Sequence, residues 1–291
     1  MRIIGTFVGG LSLVLASSIV GFAQYPISVT DDRGQLVTIE SQPVRIVSLN
    51  ALYAQIIVDL GEGERLIAVA ESDDNPVEVD DLPTVGPAFA PNVEVILGLE
   101  PDMVLGANDW GGERPALEAA GVSVLTTPWL TSVVSIFDTI QTIAAALGVE
   151  QAGELLVGRI AAQLIEAEAE VLGKPTVSAA FLYAASSDDP PYAAGGDSIE
   201  NELILRSGGV NVFAELVWSP QVSFEEILSR NPDVIFTAPS QVANITSNPF
   251  LRSVAAVLHG RVIGIRASTV ASTQVADALA AIIAGLHIVN P

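Results

Sequence analysis

A pattern that occurs in both halves of the chain constrains the fold more than any other feature. Residues 94–104 read EVILGLEPDMV and residues 225–235 read EEILSRNPDVI, so both fit E-x-I-L-x-x-x-P-D-x-[VI]. Each copy predicts a short helix, a Pro-Asp stop and a buried strand. Chance is the competing explanation, because helix-Pro-Asp-strand connections are common in α/β proteins. The shared register favours two related lobes, and a repeat this long indicates a duplicated domain rather than a solenoid.

Strand-like and helix-like segments alternate along most of the chain, which is typical of a mainly parallel sheet covered by helices. The predicted strands are residues 27–30, 35–40, 44–49, 66–70, 102–105, 122–126, 177–183 and 234–237. The first two form a hairpin around the turn at residues 31–34. The predicted helices are residues 114–120, 133–147, 150–172 and 274–287.

The longest predicted helix separates the two copies of the repeat. It is rich in Ala, Leu and Glu, and Gly173-Lys174-Pro175 closes it. We therefore predict an α/β fold of two similar lobes with central, mainly parallel sheets, joined by one long interdomain helix. The expected lobes are residues 24–148 and 175–291, with residues 149–174 as the link. A cleft between two lobes is the usual place for a ligand.

Composition excludes several classes of function. The formal charge of −22 comes from 34 acidic and 12 basic residues, so the chain repels nucleic acid and anionic lipid. Most of this acidity is expected on a solvated surface. The chain has no cysteine, which excludes disulfides, thiolate metal sites and a cysteine nucleophile.

The N-terminus predicts export. Arg2 precedes an apolar stretch over residues 3–20, and Gly21-Phe22-Ala23 offers small residues for cleavage. Residues 1–23 are therefore interpreted as a secretory signal peptide, with a retained transmembrane anchor as the alternative. Without a cysteine there is no site for a lipid anchor. We expect a soluble, monomeric periplasmic protein.

Six segments carry a resemblance to a known family: ISVTDD (27–32), VRIVSL (44–49), PNVEVILGLEPD (91–102), PPYAAGGDSI (190–199), GGVNVF (208–213) and WSPQVS (218–223). Taken in order, they resemble the iron-siderophore and vitamin B12 periplasmic binding proteins, the class III solute-binding proteins of ABC importers. The resemblance covers residues 27–289, and the second-lobe segments are most similar to the cobalamin-binding member. It implies a receptor that captures a metal chelate between its lobes and delivers it to a permease.

The resemblance also implies a docking role for Glu94 and Glu225, the first residue of each repeat copy. One glutamate on each lobe of family members contacts arginines of the permease dimer. A two-lobed protein that meets a two-fold permease needs equivalent charges on both lobes. The alternative is that each glutamate only complements a helix dipole from the first turn.

Aromatic side chains are the predicted walls of the cleft. Trp110, Tyr192 and Trp218 match aromatic ligand contacts of the cobalamin-binding member, Trp110 after a one-residue shift. Flat rings give a large chelate contact area at little entropic cost. Trp129 is a weaker candidate, and Tyr53 is expected in the core.

Two further aromatics of the cobalamin site align near Ser72 and Gly86, so that part of the corrin cradle is missing here. Phe89 is expected to replace it in part. The predicted ligand-binding residues are therefore Trp110, Tyr192, Trp218 and Phe89.

The expected ligand is a neutral or cationic chelate, with a corrinoid placed ahead of a ferric siderophore. Haem-binding relatives offer a tyrosine to iron in the first lobe, and none occurs over residues 54–182. Haem is kept as the alternative within the same family. An anionic catecholate chelate needs cleft cations, and only Arg114 and Arg266 are placed to supply them.

Direct metal binding and catalysis are competing hypotheses. The two histidines, His259 and His287, are expected in a loop and at a helix end, so no protein-held metal or cofactor is predicted. No nucleophile elbow or Walker loop occurs, and the chain is not expected to be an enzyme. Residues 195–197, Gly-Gly-Asp, precede a helix and offer backbone N–H groups to a phosphate or propionate. A sensor that uses the same fold without transport stays open.

Overall fold

The computed structural model describes residues 25–106, 112–184 and 186–287. The predicted signal peptide at residues 1–23 lies outside these ranges. Within them, the eight predicted strands and four predicted helices are all present, with boundaries that differ by at most three residues, and four further strands occur that were not predicted.

The strands are short, and β3, β6 and β11 are fully buried. Strands β8 and β11 have the predicted ends, and the hairpin forms as expected. The strands are Ile27–Thr30 (β1), Leu36–Ile39 (β2), Ile46–Ser48 (β3), Leu66–Glu71 (β4), Thr84–Pro87 (β5), Met103–Leu105 (β6), Ser123–Leu125 (β7), Val177–Tyr183 (β8), Tyr192–Ala193 (β9), Gly209–Asn211 (β10), Val234–Thr237 (β11) and Val262–Gly264 (β12).

The helices cover the sheets and connect them. They are Ala51–Asp59 (α1), Val93–Gly98 (α2), Glu113–Ala119 (α3), Val133–Leu147 (α4), Glu150–Ala169 (α5), Ile199–Arg206 (α6), Phe224–Arg230 (α7), Val242–Thr246 (α8), Ala255–Leu258 (α9), Ala267–Val270 (α10) and Val275–Leu286 (α11). Three single turns of 3₁₀-helix lie at Gly63–Arg65, Val77–Val79 and Pro239–Gln241.

Each lobe is built on a parallel sheet. The first sheet has the order β5-β4-β3-β6-β7, and the second has β10-β8-β11-β12 with β9 added antiparallel to β8. Val47 pairs with Ala68 and Val104, and all three side chains are fully buried, as expected for a sheet covered on both faces. The prediction of two α/β lobes with mainly parallel sheets is confirmed.

The two copies of the sequence repeat occupy equivalent places in the two sheets. In the first lobe α2 leads into β6, which pairs with the first strand of its sheet, β3. In the second lobe α7 leads into β11, which pairs with β8 in the same way. The residue before each Pro-Asp, Glu100 or Asn231, has a left-handed backbone with φ of 50° or 44°.

The Asp of each Pro-Asp binds the start of the neighbouring strand, which gives the pattern a physical reason. Asp102 accepts hydrogen bonds from the backbone N–H groups of Val44 at 2.8 Å and Arg45 at 3.0 Å. Asp233 accepts one from the hydroxyl of Ser178 at 2.6 Å. In both lobes the carboxylate therefore ties two adjacent parallel strands together where they begin.

Helix α5 joins the lobes and ends three residues before the predicted limit. It packs on α4 on one side and on α11 on the other. A Cβ on Gly153 would lie 2.5 Å from the Cβ of Ala144, so glycine is required for the close approach of α5 to α4. Leu156, Ile160 and Leu164 are buried at four-residue spacing in an apolar cluster that includes side chains of both lobes. This shared core couples α5 to each lobe.

Candidate ligand-binding cleft

A cleft of about 1960 Å³ lies between the lobes, lined by residues that follow the carboxyl ends of the parallel strands. The first lobe contributes the segments after β3, β4, β5 and β7. The second lobe contributes the end of β8, the start of α6, the loop before α7 and the segment after β12. Ligands of open α/β sheets bind at these edges, because the loops there are free to diverge while the strands hold them in place.

Four aromatic side chains present largely exposed rings to this cleft. Phe89 is 70% exposed, Trp129 69%, Tyr192 51% and Trp218 74%. The structure thus brings together three of the four predicted ligand contacts, and it adds Trp129, which the sequence rated lower. The fourth predicted contact, Trp110, lies outside the described residues.

Tyr53 is 5% exposed, as expected of a core residue, and it also forms part of the cleft floor. Its hydroxyl accepts a hydrogen bond from the backbone N–H of Thr127 at 3.0 Å. Ser72 and Gly86 stand where the cobalamin-binding member has aromatic side chains. Ser72 lines the cleft, whereas Gly86 lies within β5 and is not part of the lining.

Trp218 is held in place by the residues that lead into α6. Its φ is 64°, and its backbone N–H donates to the carboxylate of Asp197 at 2.7 Å. The N–H of Gly195 donates to the carbonyl of Trp218 at 2.8 Å, and that of Gly196 to the carbonyl of Leu216 at 2.8 Å. The hypothesis that these glycine N–H groups bind a phosphate or propionate is therefore wrong, because both already donate within the fold.

The cleft is strongly acidic, so the acidity of the chain is not confined to a solvated surface. Among the lining residues that the structure describes, nine carboxylates face a single cation, Arg266. The carboxylates are Asp32, Asp59, Glu71, Asp73, Asp74, Glu78, Asp80, Asp197 and Glu200. The sequence signal was the acidic run ESDDNPVEVDD at residues 71–81, which falls almost entirely in the loop after β4.

Arg114, expected as a cleft cation, is fully buried instead. Its guanidinium lies 3.2 Å from the carboxylate of Asp31 and 2.7 Å from that of Asp32, in the turn of the hairpin. Asp31 also contacts the guanidinium of Arg33 at 2.7 Å. Arg114 therefore anchors the hairpin to α3, and its charge is neutralised before any ligand arrives.

Tyr183 is the tyrosine at the end of β8, and its hydroxyl donates to the carboxylate of Glu200 at 2.5 Å. Burial raises the pKa of Tyr183 far above its ordinary value, and the negative charge of Glu200 raises it further. This hydrogen bond ties the end of β8 to the first turn of α6 on the second-lobe side of the cleft.

Glu94 and Glu225 lie in the first turns of α2 and α7, and both side chains are exposed. Each helix has a side-chain cap, Asn92 accepting from Val95 N–H and Ser223 from Glu226 N–H, both at 3.1 Å. Each helix runs into a parallel strand, so its N-terminus lies at the sheet edge that faces the cleft. The two glutamates are thus placed equivalently on the two lobes.

The histidines lie apart from the cleft. His259 follows α9, and His287 follows α11. The Nε2 atom of His287 lies 2.9 Å from the carbonyl oxygen of Ser207, which follows α6. Across residues 25–106, 112–184 and 186–287, no three His, Cys, Asp or Glu side chains are grouped to hold a metal ion.

Two α/β lobes, one bridging helix and an open cleft between them define a solute-binding protein. The sequence pattern of the periplasmic binding protein family matches residues 46–269, and the chain belongs to that family. No helix in the described part of the chain has the length and apolarity needed to cross a membrane.

Three relatives illustrate the likeness. An uncharacterised ABC transporter substrate-binding lipoprotein of Bacillus subtilis, YvrC, is 31% identical over 220 residues, 73% of this chain and 69% of the relative. A vitamin B12-binding protein of Vibrio campbellii is 29% identical over 203 residues, 69% of this chain and 72% of the relative. The apo structure of the periplasmic haem-binding protein RhuT of Roseiflexus sp. RS-1 matches with a TM-score of 0.75 and 27% identity, covering 84% of this chain and 99% of RhuT.

Proposed function

We propose that this chain is the solute receptor of an ABC importer and that its cargo is a neutral or cationic metal chelate, a corrinoid first. The observation that carries the proposal is that nine carboxylates line a cleft with exposed aromatic walls. A corrinoid is large, partly apolar and rich in amide groups that donate hydrogen bonds to carboxylates. The vitamin B12-binding relative supports the same ligand class.

The negative charge of the cleft favours a corrinoid over anionic ligands such as haem and ferric catecholates. Haem carries two propionates and a ferric catecholate carries several negative charges, and each would have to enter a cleft where one arginine faces nine carboxylates. Like charges in a partly desolvated cleft cost several kcal/mol, about 4 kcal/mol for one pair at 4 Å and an effective dielectric constant of 20.

A ferric hydroxamate is the second candidate, because it meets the same electrostatic requirement without a negative charge. It is smaller than a corrinoid and would leave more of the cleft solvated. The two candidates therefore differ in the aromatic contact that they need, above all with Trp218 and Trp129.

Titration of the purified chain with cyanocobalamin, ferrioxamine B and haemin tests the ligand. We expect saturable quenching of tryptophan fluorescence by cyanocobalamin with a Kd below about 1 μM, and no product formed from it. Trp218→Ala should weaken binding at least about tenfold. Phe250→Ala, which removes an exposed ring outside the cleft lining, is the matched control and should bind as wild type. Tightest binding of haemin or ferrioxamine B would overturn the corrinoid assignment.

We further propose that Glu94 and Glu225 dock onto cationic residues of the permease. Support comes from their exposure, their equivalent places on the two lobes, and the lack of an ion pair for either within the described residues. The charge reversal Glu94→Lys with Glu225→Lys should abolish uptake in a reconstituted importer and leave cyanocobalamin affinity unchanged. Glu154→Lys, the same reversal on the exposed face of α5, should transport normally. Loss of ligand affinity in the double variant would contradict a docking role.

We also propose that residues 1–23 are removed on export, that the mature chain is monomeric without a lipid anchor, and that it is not an enzyme. On this proposal the mature lobes are residues 24–148 and 175–291, with residues 149–174 between them. Mass spectrometry of protein recovered from the periplasm should give a chain beginning at Gln24. A mass that retains Met1 would favour the membrane anchor.

A further inference from the structure

We propose that Glu202 of the second lobe is a positioning residue, whose carboxylate holds the start of α4 and thereby fixes the position of Trp129 in the cleft. The inference rests on the ligand site proposed above, in which Trp129 forms one wall. Glu202 is not part of the cleft lining. It lies on α6, which packs on β8, β10 and α11 of the second lobe, whereas α4 packs on α1 and β1 of the first. A bond between α6 and α4 therefore crosses from one lobe to the other.

Glu202 accepts a hydrogen bond that α4 cannot satisfy internally. The first N–H groups of a helix have no partner within the helix. Val133 is the first residue of α4, and its N–H donates to Oε2 of Glu202 at 2.9 Å. A carboxylate in this place also complements the positive end of the helix dipole. The beginning of α4 is thus bound to the second lobe.

The carboxylate of Glu202 is held in turn by its own lobe and by the bridging helix. Arg206, one turn later on α6, donates from Nε to Oε1 of Glu202 at 2.7 Å and from Nη1 to the carboxylate of Glu168 on α5 at 2.5 Å. The Glu202 side chain is 25% exposed, so solvent screens these contacts only in part. With one oxygen on Val133 and the other on Arg206, Glu202 is a fixed point of attachment for α4.

Trp129 lies on a short segment whose two ends are fixed. Residues 126–132 connect β7 to α4, and residues 126–131 line the cleft. Near the first end, the N–H of Thr127 donates to the hydroxyl of Tyr53 at 3.0 Å. At the other end, Glu202 holds Val133, four residues after Trp129. Because the Trp129 ring is 69% exposed, neighbouring side chains constrain it little, and the ends of its segment decide its position.

The fluorescence of Trp129 tests this positioning without any ligand. The chain has three tryptophans, so Trp110→Phe with Trp218→Phe leaves Trp129 as the only one. In this background Glu202→Ala should lower the fluorescence anisotropy of Trp129, because the start of α4 loses its attachment. Glu202→Gln keeps an acceptor oxygen and should lower it less. Glu154→Ala, which removes an exposed carboxylate on α5, is the matched control and should leave it unchanged.

A double-mutant cycle tests whether Glu202 acts on binding through Trp129. Isothermal titration of the full chain with cyanocobalamin should show at least about tenfold weaker binding for Trp129→Ala. Glu202→Ala should weaken binding about three- to tenfold when Trp129 is present and less than about twofold when Trp129 is already alanine. A role confined to general stability would give the same loss in both backgrounds. If Glu202→Ala does not fold, Glu202→Gln carries both measurements.

Lowered anisotropy together with a loss of affinity that depends on Trp129 supports the proposal. Unchanged anisotropy in Glu202→Ala, or an equal loss of affinity with and without Trp129, overturns it while the corrinoid receptor stands. If wild-type protein does not bind cyanocobalamin, the proposed ligand is wrong, and the anisotropy of the single-tryptophan variants alone decides whether Glu202 positions Trp129.

Discussion

The two lobes share one scaffold and differ in how they handle charge. In both, a helix leads through a left-handed residue and a Pro-Asp into a strand beside the first strand of the sheet. Among the ion pairs of the described residues, only one in the first lobe is fully buried, Arg114 with Asp31, whose side chains are both 0% exposed. The described ion pairs of the second lobe stay partly exposed, as in Arg206 with Glu168, 33% exposed each.

The repeated helix, Pro-Asp and strand have the same structural role in both lobes, whereas the residues that line the cleft differ between the lobes. The first lobe supplies most of the carboxylates, and the second supplies Arg266 and Trp218. A cleft between diverged lobes can present opposite charges to opposite ends of one ligand. Identical lobes could not, since their facing loops would carry the same groups.

The largest expected effect on stability is at the buried ion pair. Arg114→Met removes the cation and leaves Asp31 buried and less compensated, which should lower the free energy of unfolding by about 3–5 kcal/mol. Arg206→Met in the second lobe removes a partly exposed cation and should cost about 1 kcal/mol or less. Urea unfolding of both variants measures the contrast. Equal losses would mean that the lobes do not differ as described.

A smaller effect is expected where the lobes are most alike. Asp102→Ala removes the acceptor for two backbone N–H groups and should cost about 2 kcal/mol. Asp233→Ala removes the acceptor for the Ser178 hydroxyl in a more exposed setting and should cost about 1 kcal/mol. Thermal unfolding checks the order. A larger loss for Asp233→Ala would show that the second copy carries more of the sheet's stability.

The smallest effect is a pH dependence that belongs to the first lobe. Burial tends to raise the pKa of Asp31, but hydrogen bonds from the Gln35 and Arg33 N–H groups and the Arg33 guanidinium outweigh it, so the pKa lies below its ordinary value. A lowered folded-state pKa stabilises the protein above the unfolded pKa, near 3.9, and this contribution disappears as the pH falls through the folded value.

The stability difference between wild type and Asp31→Asn should therefore be constant near pH 7 and shrink below about pH 4. Asp189→Asn, at an exposed site in the second lobe, is the control and should differ little from wild type at either pH. Urea unfolding at several pH values measures both differences. A gap for Asp31→Asn that widens on acidification would contradict the lowered pKa.

Much of the fold could be predicted from the sequence because its signals are local. Strands β8 and β11 and the start of α5 agree with their predicted limits, since apolar runs and Gly or Pro stops act within a few residues. Strands β3 and β6 are shorter than predicted, because pairing with neighbours and not apolar character decides where a strand ends. Strands β5, β9, β10 and β12 were not predicted, and the two-residue strand β9 has no cue besides its antiparallel pairing with β8.

The site could be predicted only in part. Phe89, Tyr192 and Trp218 line the cleft as predicted, because each follows a strand or precedes a helix at a sheet edge. Arg114 was assigned to the cleft wrongly, because its partners Asp31 and Asp32 are more than 80 positions away in the chain. Trp129, the weaker candidate, also lines the cleft, where it is 69% exposed.

The sequence by itself determined the two-lobed scaffold. The repeated helix, Pro-Asp and strand encode it through backbone preference and apolar periodicity, which need no knowledge of distant residues. Only the tertiary structure decided the character of the cleft. The charge of a cleft depends on which loops from separate strands meet across it, and this juxtaposition brings nine carboxylates and Arg266 into one cleft lining while burying Arg114.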